Sequence, residues 1–322
     1  MASDGEFDFI RTRLGPLTRG HRAALGLSDD AALLDPPPGC EIVLASDMLV
    51  AGVHFLDSDT PETAATRILG ANLSDLAAMG AEPLGYLASI AWPRDTDSDW
   101  RDRFVAALAD MQDGFRLALI GGDTTVTPGP FTVSMTLVGS VPKGEALLRS
   151  GARAGDHVWV SGTIGDATLG LDIAAGRASG PDALRTRYER PEPRLDLGEG
   201  LRGIASAAID ISDGLIADAG HIAQTSGVAL RIEAEAIPLS AEARAWLETA
   251  GEGGLVRLVT GGDDYELVFT APEDRRDAIL ALAAELRLEL TWIGDVVQGE
   301  GVSLLDAGGR DITPARQGFT HF

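Results

Sequence analysis

Along the chain, apolar runs of about four to eight residues, rich in Val and Ile, alternate with longer stretches whose apolar residues recur at helical spacing. That alternation predicts an α/β protein with mixed sheets. In the first half, residues 41–45, 84–91, 117–120 and 131–141 read as strands, and 61–79 and 97–115 as helices, with Pro61 at a first helical position after Thr60. The pattern breaks at Pro142-Lys143-Gly144 and again at Ser150-Gly151, so two domains are expected, residues 1–145 and 146–322. In the second, strands are predicted at 157–160, 228–232, 265–270, 290–297 and 302–305. Helices are predicted at 165–175, 195–204, 215–225, 241–250 and 272–286, with a loop rich in Gly, Pro and Arg running up to Arg194.

Charge removes several classes of function. The 26 basic and 49 acidic side chains give a net charge of −23, which repels a nucleic-acid backbone. No apolar run is long enough to cross a membrane, and the first residues are acidic where a secretion signal is basic and then apolar, so a cytoplasmic protein without membrane contact is expected. Cys40 is the only cysteine, which excludes an intrachain disulfide and a thiolate zinc site. Lys143 is the only lysine and no GxxxxGK[ST] occurs, which excludes a Walker-type nucleotide site. The five histidines are scattered. Chemistry is left to carboxylates, arginine and backbone.

Aspartates recur where apolar runs stop. Asp29-Asp30, Asp47, Asp123, Asp210 with Asp213, and Asp263-Asp264 all stand there, several of them behind glycines. An aspartate after a strand is commonly a turn or a helix cap. Five such instances, however, suggest a cleft lined for a cation at strand ends, with glycines allowing close approach. Asp75 lies within a nearly apolar helix, where a carboxylate needs a cation or hydrogen-bond donors. Hard carboxylate ligands without thiolates select Mg²⁺, and Mg²⁺ commonly brings substrate phosphates with it. Several Mg²⁺ ions and a nucleotide are therefore expected, with Arg149 a candidate phosphate clamp.

Nine stretches in order then carry a resemblance: GEF (5–7), GLSDDAALL (26–34), SDMLVAGVHF (46–55), ANLSDLAAMGAEP (71–83), IGGDTT (120–125), RSGARAGD (149–156), IDISDGLIAD (209–218), GGDDYEL (261–267) and GFTHF (318–322). Together they resemble the thiamine-monophosphate kinase family over essentially the whole chain. The resemblance implies transfer of the γ-phosphoryl group of ATP to thiamine monophosphate, the final step of thiamine diphosphate biosynthesis. It implies the two-domain fold of aminoimidazole-ribonucleotide synthetase: an N-terminal ATP- and metal-binding domain whose sheet pairs across a homodimer, and a C-terminal domain completing the nucleotide and substrate site. It assigns Asp30, Ser46, Asp47, Asp75, Asp123, Asp210 and Asp213 to metal, with Asp75 and Asp213 nearest the transferring group. It assigns Gly122, Asp123, Arg149 and Ser212 to ATP, and His54, Asp263 and Phe319 to the substrate.

Two positions depart from the family pattern. Ala45 replaces a Ser or Thr that offers a metal an oxygen, and Asp263 replaces a commoner glutamate, shortening its reach by one methylene. Two other readings compete. One is a ribonucleotide- or selenide-using enzyme of the same superfold; a selenophosphate synthetase would show a reactive Cys and a lysine near the N-terminus, which are lacking here. The other is a silent nucleotide-binding scaffold, which the filled ligand positions disfavour.

Overall fold

The computed structural model describes residues 5–251 and 253–319. Thr320, His321 and Phe322 of the last motif lie outside the described residues. Backbone contacts divide the chain into two units, one of Met1–Leu76 and Glu82–Gly144, the other of Ala77–Ala81 and Glu145–Phe322.

The first unit opens with α1 (Glu6–Phe9) and irregular helical turns up to Leu27. It continues through β1 (Cys40–Val50), α2 (Pro61–Ala78), β2 (Glu82–Pro93), α3 (Ser98–Phe115), β3 (Leu119–Thr127) and β4 (Thr132–Pro142). The strands form one sheet in the order β1-β4-β2-β3, antiparallel except for the β2/β3 pair that α3 connects. The Thr60 hydroxyl accepts from Thr63 N–H at 3.2 Å and Pro61 takes the first turn of α2, where its missing donor does no harm. That helix is buried on almost every side, its polar Thr66, Arg67 and Asn72 included. An Asp97 carboxylate caps α3 by accepting from Trp100 N–H at 2.7 Å. Trp92 ends β2 amid Trp100, Phe104 and Phe131, with centroids 5.3 to 6.1 Å away, and this cluster closes one end of the core.

β1 runs on to Val50 and β3 to Thr127, so Asp47 and Asp123 lie inside paired strands, opposite Met135 and Ser89, and not at strand ends as expected. The apolar runs stop early, but the Ser, Thr and Val that follow keep favouring extended backbone and the ladder continues through them.

The second unit comprises β5 (Asp156–Ser161), α4 (Asp166–Ala174), α5 (Asp182–Glu189), α6 (Leu195–Gly200), β6 (Ala207–Asp210), α7 (Leu215–Ser226) and β7 (Ala229–Glu233). It ends with α8 (Ala241–Ala250), α9 (Gly254–Thr260), β8 (Leu267–Pro272), α10 (Arg276–Leu286), β9 (Leu290–Val297) and β10 (Gly301–Leu305). Its sheet has the order β10-β7-β9-β5-β8-β6, with only β10 and β7 parallel. Val158, Val160, Ile209, Val268 and Ile293 of the strands and Ile216, Ala219 and Ile222 of α7 form one continuous core. α5, β6 and α9 were not expected from the sequence, and α6 is shorter than the predicted 195–204. α5 fell inside the supposed Gly/Pro/Arg loop because only Leu184 and Tyr188, four residues apart, are buried on it.

Candidate active site

Side chains alternate across β1, which sorts its candidates. Val43 and Leu49 are buried on the face that carries Asp47, whereas Leu44 and Met48, 67% and 55% exposed, share the other face with Ser46. The Ser46 hydroxyl bonds the Met135 carbonyl at 3.1 Å and Thr136 Oγ1 at 3.0 Å, so a cation at the Asp47 carboxylate would meet Ser46 only through its main chain. Burial raises the Asp47 carboxyl above its ordinary value. Asp47 N–H donates to Asn72 Oδ1 at 3.1 Å, and Asp75 stands one turn further along that face of α2. The fold thus brings Asp47 and Asp75 into one neighbourhood; Asp75 is half-buried between buried Ser74 and Leu76.

His54 follows β1 in a tight loop. Its Nδ1 accepts from Val50 N–H at 3.1 Å, which puts the proton of a neutral ring on Nε2, and its carbonyl accepts from the buried Arg67 at 3.0 Å. The imidazole therefore holds the loop through one nitrogen.

Gly122 has φ +146°, and a Cβ there would stand 1.9 Å from the Ala88 carbonyl oxygen of β2. Glycine is required for β3 to approach β2 so closely while Asp123 follows at an exposed position. Asp30, in the exposed loop after Leu27, and Asp123 line the same cavity of about 620 Å³, whose walls include Leu17, Leu87, Leu119 and Ile120. An apolar cavity with a few polar groups is the usual form of a small-molecule site.

In the second unit, three loops are joined through main chain. Asp263 N–H donates to the Ser212 carbonyl at 2.9 Å, Tyr265 N–H to Ile211 at 2.9 Å, Ile211 N–H to Glu266 at 2.8 Å, and Phe319 N–H to Asp213 at 3.1 Å. A Cβ on Gly262 would fall 2.1 Å from the Ser212 oxygen, so that glycine is what permits the approach. Ser212, Asp213, Asp263 and Phe319 are thereby brought together, with buried Asp210 closing β6 two residues before Ser212. Phe319 is 46% exposed, its ring not taken into the core. Arg149 is not part of this group. Its carbonyl accepts from Thr225 Oγ1 at 2.9 Å at the far end of α7, and a 12-residue helix separates that point from the Ser212 turn by roughly 18 Å.

Sequence reasoning missed Glu266 and Asp218 behind these loops, and it expected Asp264 to line a cation cleft, where the structure buries it against the start of α4. Asp263 and Tyr265 sit at φ 72° and 50°, left-handed conformations that side chains adopt reluctantly. Just beyond them, fully buried Glu266 accepts from Ser161 Oγ at 2.6 Å, Arg187 Nη2 at 2.8 Å and Arg194 Nε at 2.7 Å. Fully buried Asp264 accepts from Gly165 N–H at 2.8 Å and Ala167 N–H at 3.3 Å, fixing the start of α4, and burial holds its carboxyl well above the ordinary range. Asp218 of α7, 2% exposed, accepts from Ser212, Asp213 and Gly214 N–H at 3.0, 3.0 and 3.1 Å. Burial and the charges of Asp210 and Asp213 push its carboxyl up to about 8, against the pull of those donors. The argument that singled out Asp75, a carboxylate inside an apolar helix, applies equally to Asp218 and would have found it.

Among the described residues no three acidic, histidine or cysteine side chains are grouped to hold a metal ion. The carboxylates are thus not a preformed cage of three or more within the described structure. They remain compatible with Mg²⁺, which keeps its waters and is commonly held by one or two carboxylates together with substrate phosphates. Half-buried Asp47 and buried Asp210 supply hard oxygens whose desolvation a cation would offset.

Comparison with known proteins gives consistent results for both units. The profile of AIR synthase related protein, N-terminal domain, matches residues 28–141, and that of its C-terminal domain matches residues 153–306. A thiamine-monophosphate kinase of Caulobacter vibrioides is 46% identical over 319 residues, 98% of this chain and 90% of its own length. The chain belongs to the thiamine-monophosphate kinase family. The crystal structure of a family member from Stenotrophomonas maltophilia K279a superposes with a TM-score of 0.83 at 41% identity, covering 92% of this chain and 95% of that one. AaThiL complexed with AMPPCP and TMP does so with a TM-score of 0.79 at 33% identity, covering 99% and 97%. The ordered motifs therefore identified the family correctly, and the mixed α/β AIR synthase-like fold is the one observed. No helix among the described residues is long and apolar enough to cross a membrane.

Proposed function

We propose that this chain is an ATP-dependent kinase that transfers the γ-phosphoryl group of ATP to the phosphate of thiamine monophosphate, giving thiamine diphosphate and ADP. The observation that carries this reading is the joined loop set of the second unit. It gathers Ser212, Asp213, Asp263 and Phe319, in a chain that matches thiamine-monophosphate kinases nearly end to end. Gly122 and Asp123 of the first unit, the latter lining the same cavity as Asp30, are the ATP contacts of this reading; Ser212 and Arg149 are assigned to ATP by the family resemblance. His54 and Asp263 bind the substrate, and the Phe319 ring stacks on its cationic organic end.

The acceptor phosphate has a second pKa of about 6 and is mostly dianionic at neutral pH, so no general base is needed. What the protein supplies is in-line positioning and relief of repulsion between two phosphorylated ligands. Asp30, Asp47, Asp75, Asp123, Asp210 and Asp213, together with Ser46, are the residues that would hold Mg²⁺ for this purpose. When bound, Mg²⁺ neutralises phosphate charge, the role lysines play elsewhere. The exposed apolar face of β1, with Ile42, Leu44 and Met48, is the surface through which the first unit joins a second copy in a homodimer. A cytoplasmic location is part of this reading.

The test is an acceptor panel with ATP and Mg²⁺: thiamine monophosphate, a ribonucleotide substrate of the AIR synthase type, and selenide. ADP formed in step with thiamine diphosphate is the expected result. Turnover with another acceptor and none with thiamine monophosphate refutes the reading.

A further inference from the structure

The turn Ser212-Asp213-Gly214 precedes α7, and its three successive N–H groups converge on one carboxylate oxygen, Asp218 Oδ2, at 3.0 to 3.1 Å. Such a concavity of backbone donors is the form in which proteins commonly hold phosphate. Here a side-chain oxygen of the protein's own buried Asp218 fills it. This is not ordinary helix capping. The N-cap is Gly214 at φ 119° with no side-chain cap, while Asp218 is the fourth residue inside the helix and reaches back to donors that lie before it. Its bonds to Ser212 and Asp213 therefore fix the turn, not the first helical turn. The placement is also electrostatically unfavourable, because Asp210 and Asp213 stand nearby and raise the cost of another carboxylate.

We propose that Asp218 is a positioning residue whose side-chain oxygen occupies the donors of the Ser212-Asp213-Gly214 turn. With those N–H groups taken, the turn can meet a ligand only through the Ser212 hydroxyl and the Asp213 carboxylate. A turn shaped to bind an anion is thus converted into one that presents oxygens to a cation. The assignment of those two side chains to nucleotide and metal rests on the kinase reading above; the conversion itself does not.

Asp218→Ala and Asp218→Asn, made in the full chain, separate this role from a general contribution to folding. Hydrogen exchange of the metal-free protein should show amides 212–214 of D218A exchanging about a hundredfold faster, while those of β5 and β8 stay protected. In turnover with ATP and thiamine monophosphate, kcat of D218A should fall about a hundredfold with the KM for thiamine monophosphate little changed. The Mg²⁺ concentration for half-activation should rise about tenfold. D218N keeps an acceptor oxygen and should restore both protection and turnover to within about tenfold of the parent. Wild-type protection of amides 212–214 in D218A overturns the proposal, as does wild-type turnover with an unchanged Mg²⁺ requirement. Loss of protection throughout the second unit in both variants also overturns it, by assigning Asp218 to folding alone. If the parent protein makes no thiamine diphosphate, the kinase reading fails, and the exchange pattern still decides whether Asp218 sets the turn.

Discussion

Replacing Glu266 with Gln removes the charge at the centre of the network behind the Asp263 loop. Glu266 is fully buried and meets Arg187 and Arg194, whose side chains are themselves 17% and 18% exposed. Burial alone would lower the Arg194 guanidinium, and the hydrogen bond and charge of Glu266 more than offset it. In the variant the remaining anion is Glu192, 3.3 Å from each arginine but 63% exposed and so screened. A glutamine also turns one acceptor into a donor facing a guanidinium. Breaking a buried pair from one side costs about 3–5 kcal/mol, and the surviving Glu192 contacts place this case near the lower figure, about 3 kcal/mol. For a unit of this size that lowers the melting temperature by roughly 6–12 °C. Calorimetry of the full chain measures it. Because the Glu266 carbonyl accepts from Ile211 N–H, the KM for thiamine monophosphate should rise with it. A melting temperature within about 2 °C of the parent would refute the assignment of this network as the support of the loop.

Three further outcomes are expected. Gly122→Ala should destabilise the first unit by about 3 kcal/mol or more in urea unfolding and raise the KM for ATP more than that for thiamine monophosphate, because a Cβ 1.9 Å from the Ala88 oxygen forces β3 away from β2. Asp75→Asn and Asp213→Asn should each lower kcat by about a hundredfold or more while circular dichroism and melting stay near the parent; unchanged turnover removes them from the mechanism. The Asp218 carboxyl is raised to about 8, so the folded chain binds a proton that the unfolded chain releases near pH 4, and stability without Mg²⁺ should fall as pH rises through that window. Between pH 5 and 8 the loss is about 3 kcal/mol for this group, and D218N should abolish it in urea titrations.

What the sequence reveals and what it hides have physical causes. The strand β4 is legible because burial writes its alternation directly, and α2 because its long apolar stretch follows a Thr60-Pro61 start signal. β6 is four residues long and wholly buried, too short to show a period, and α5 shows its core only as the Leu184 and Tyr188 pair. The candidate aspartates are legible as carboxylates in apolar surroundings, but pattern alone stops a strand where hydrophobicity stops and so misplaces Asp47 and Asp123 at strand ends. Strand alternation separates Ser46 from Asp47, and nothing in the motif SDM announces it until the face of β1 is known. The groups behind the loops, Glu266, Asp264 and Asp218, lie in stretches quoted for their resemblance. Their partners are set by contacts between residues as far as 105 positions apart, such as Ser161 with Glu266, which no local pattern contains.

The most direct measurement is a single turnover with γ-labelled ATP and thiamine monophosphate. Direct transfer requires the label to appear in the terminal phosphate of thiamine diphosphate, in amounts equal to the ADP formed, with no labelled protein. Label retained on the chain, or released as inorganic phosphate while thiamine monophosphate remains intact, would contradict it.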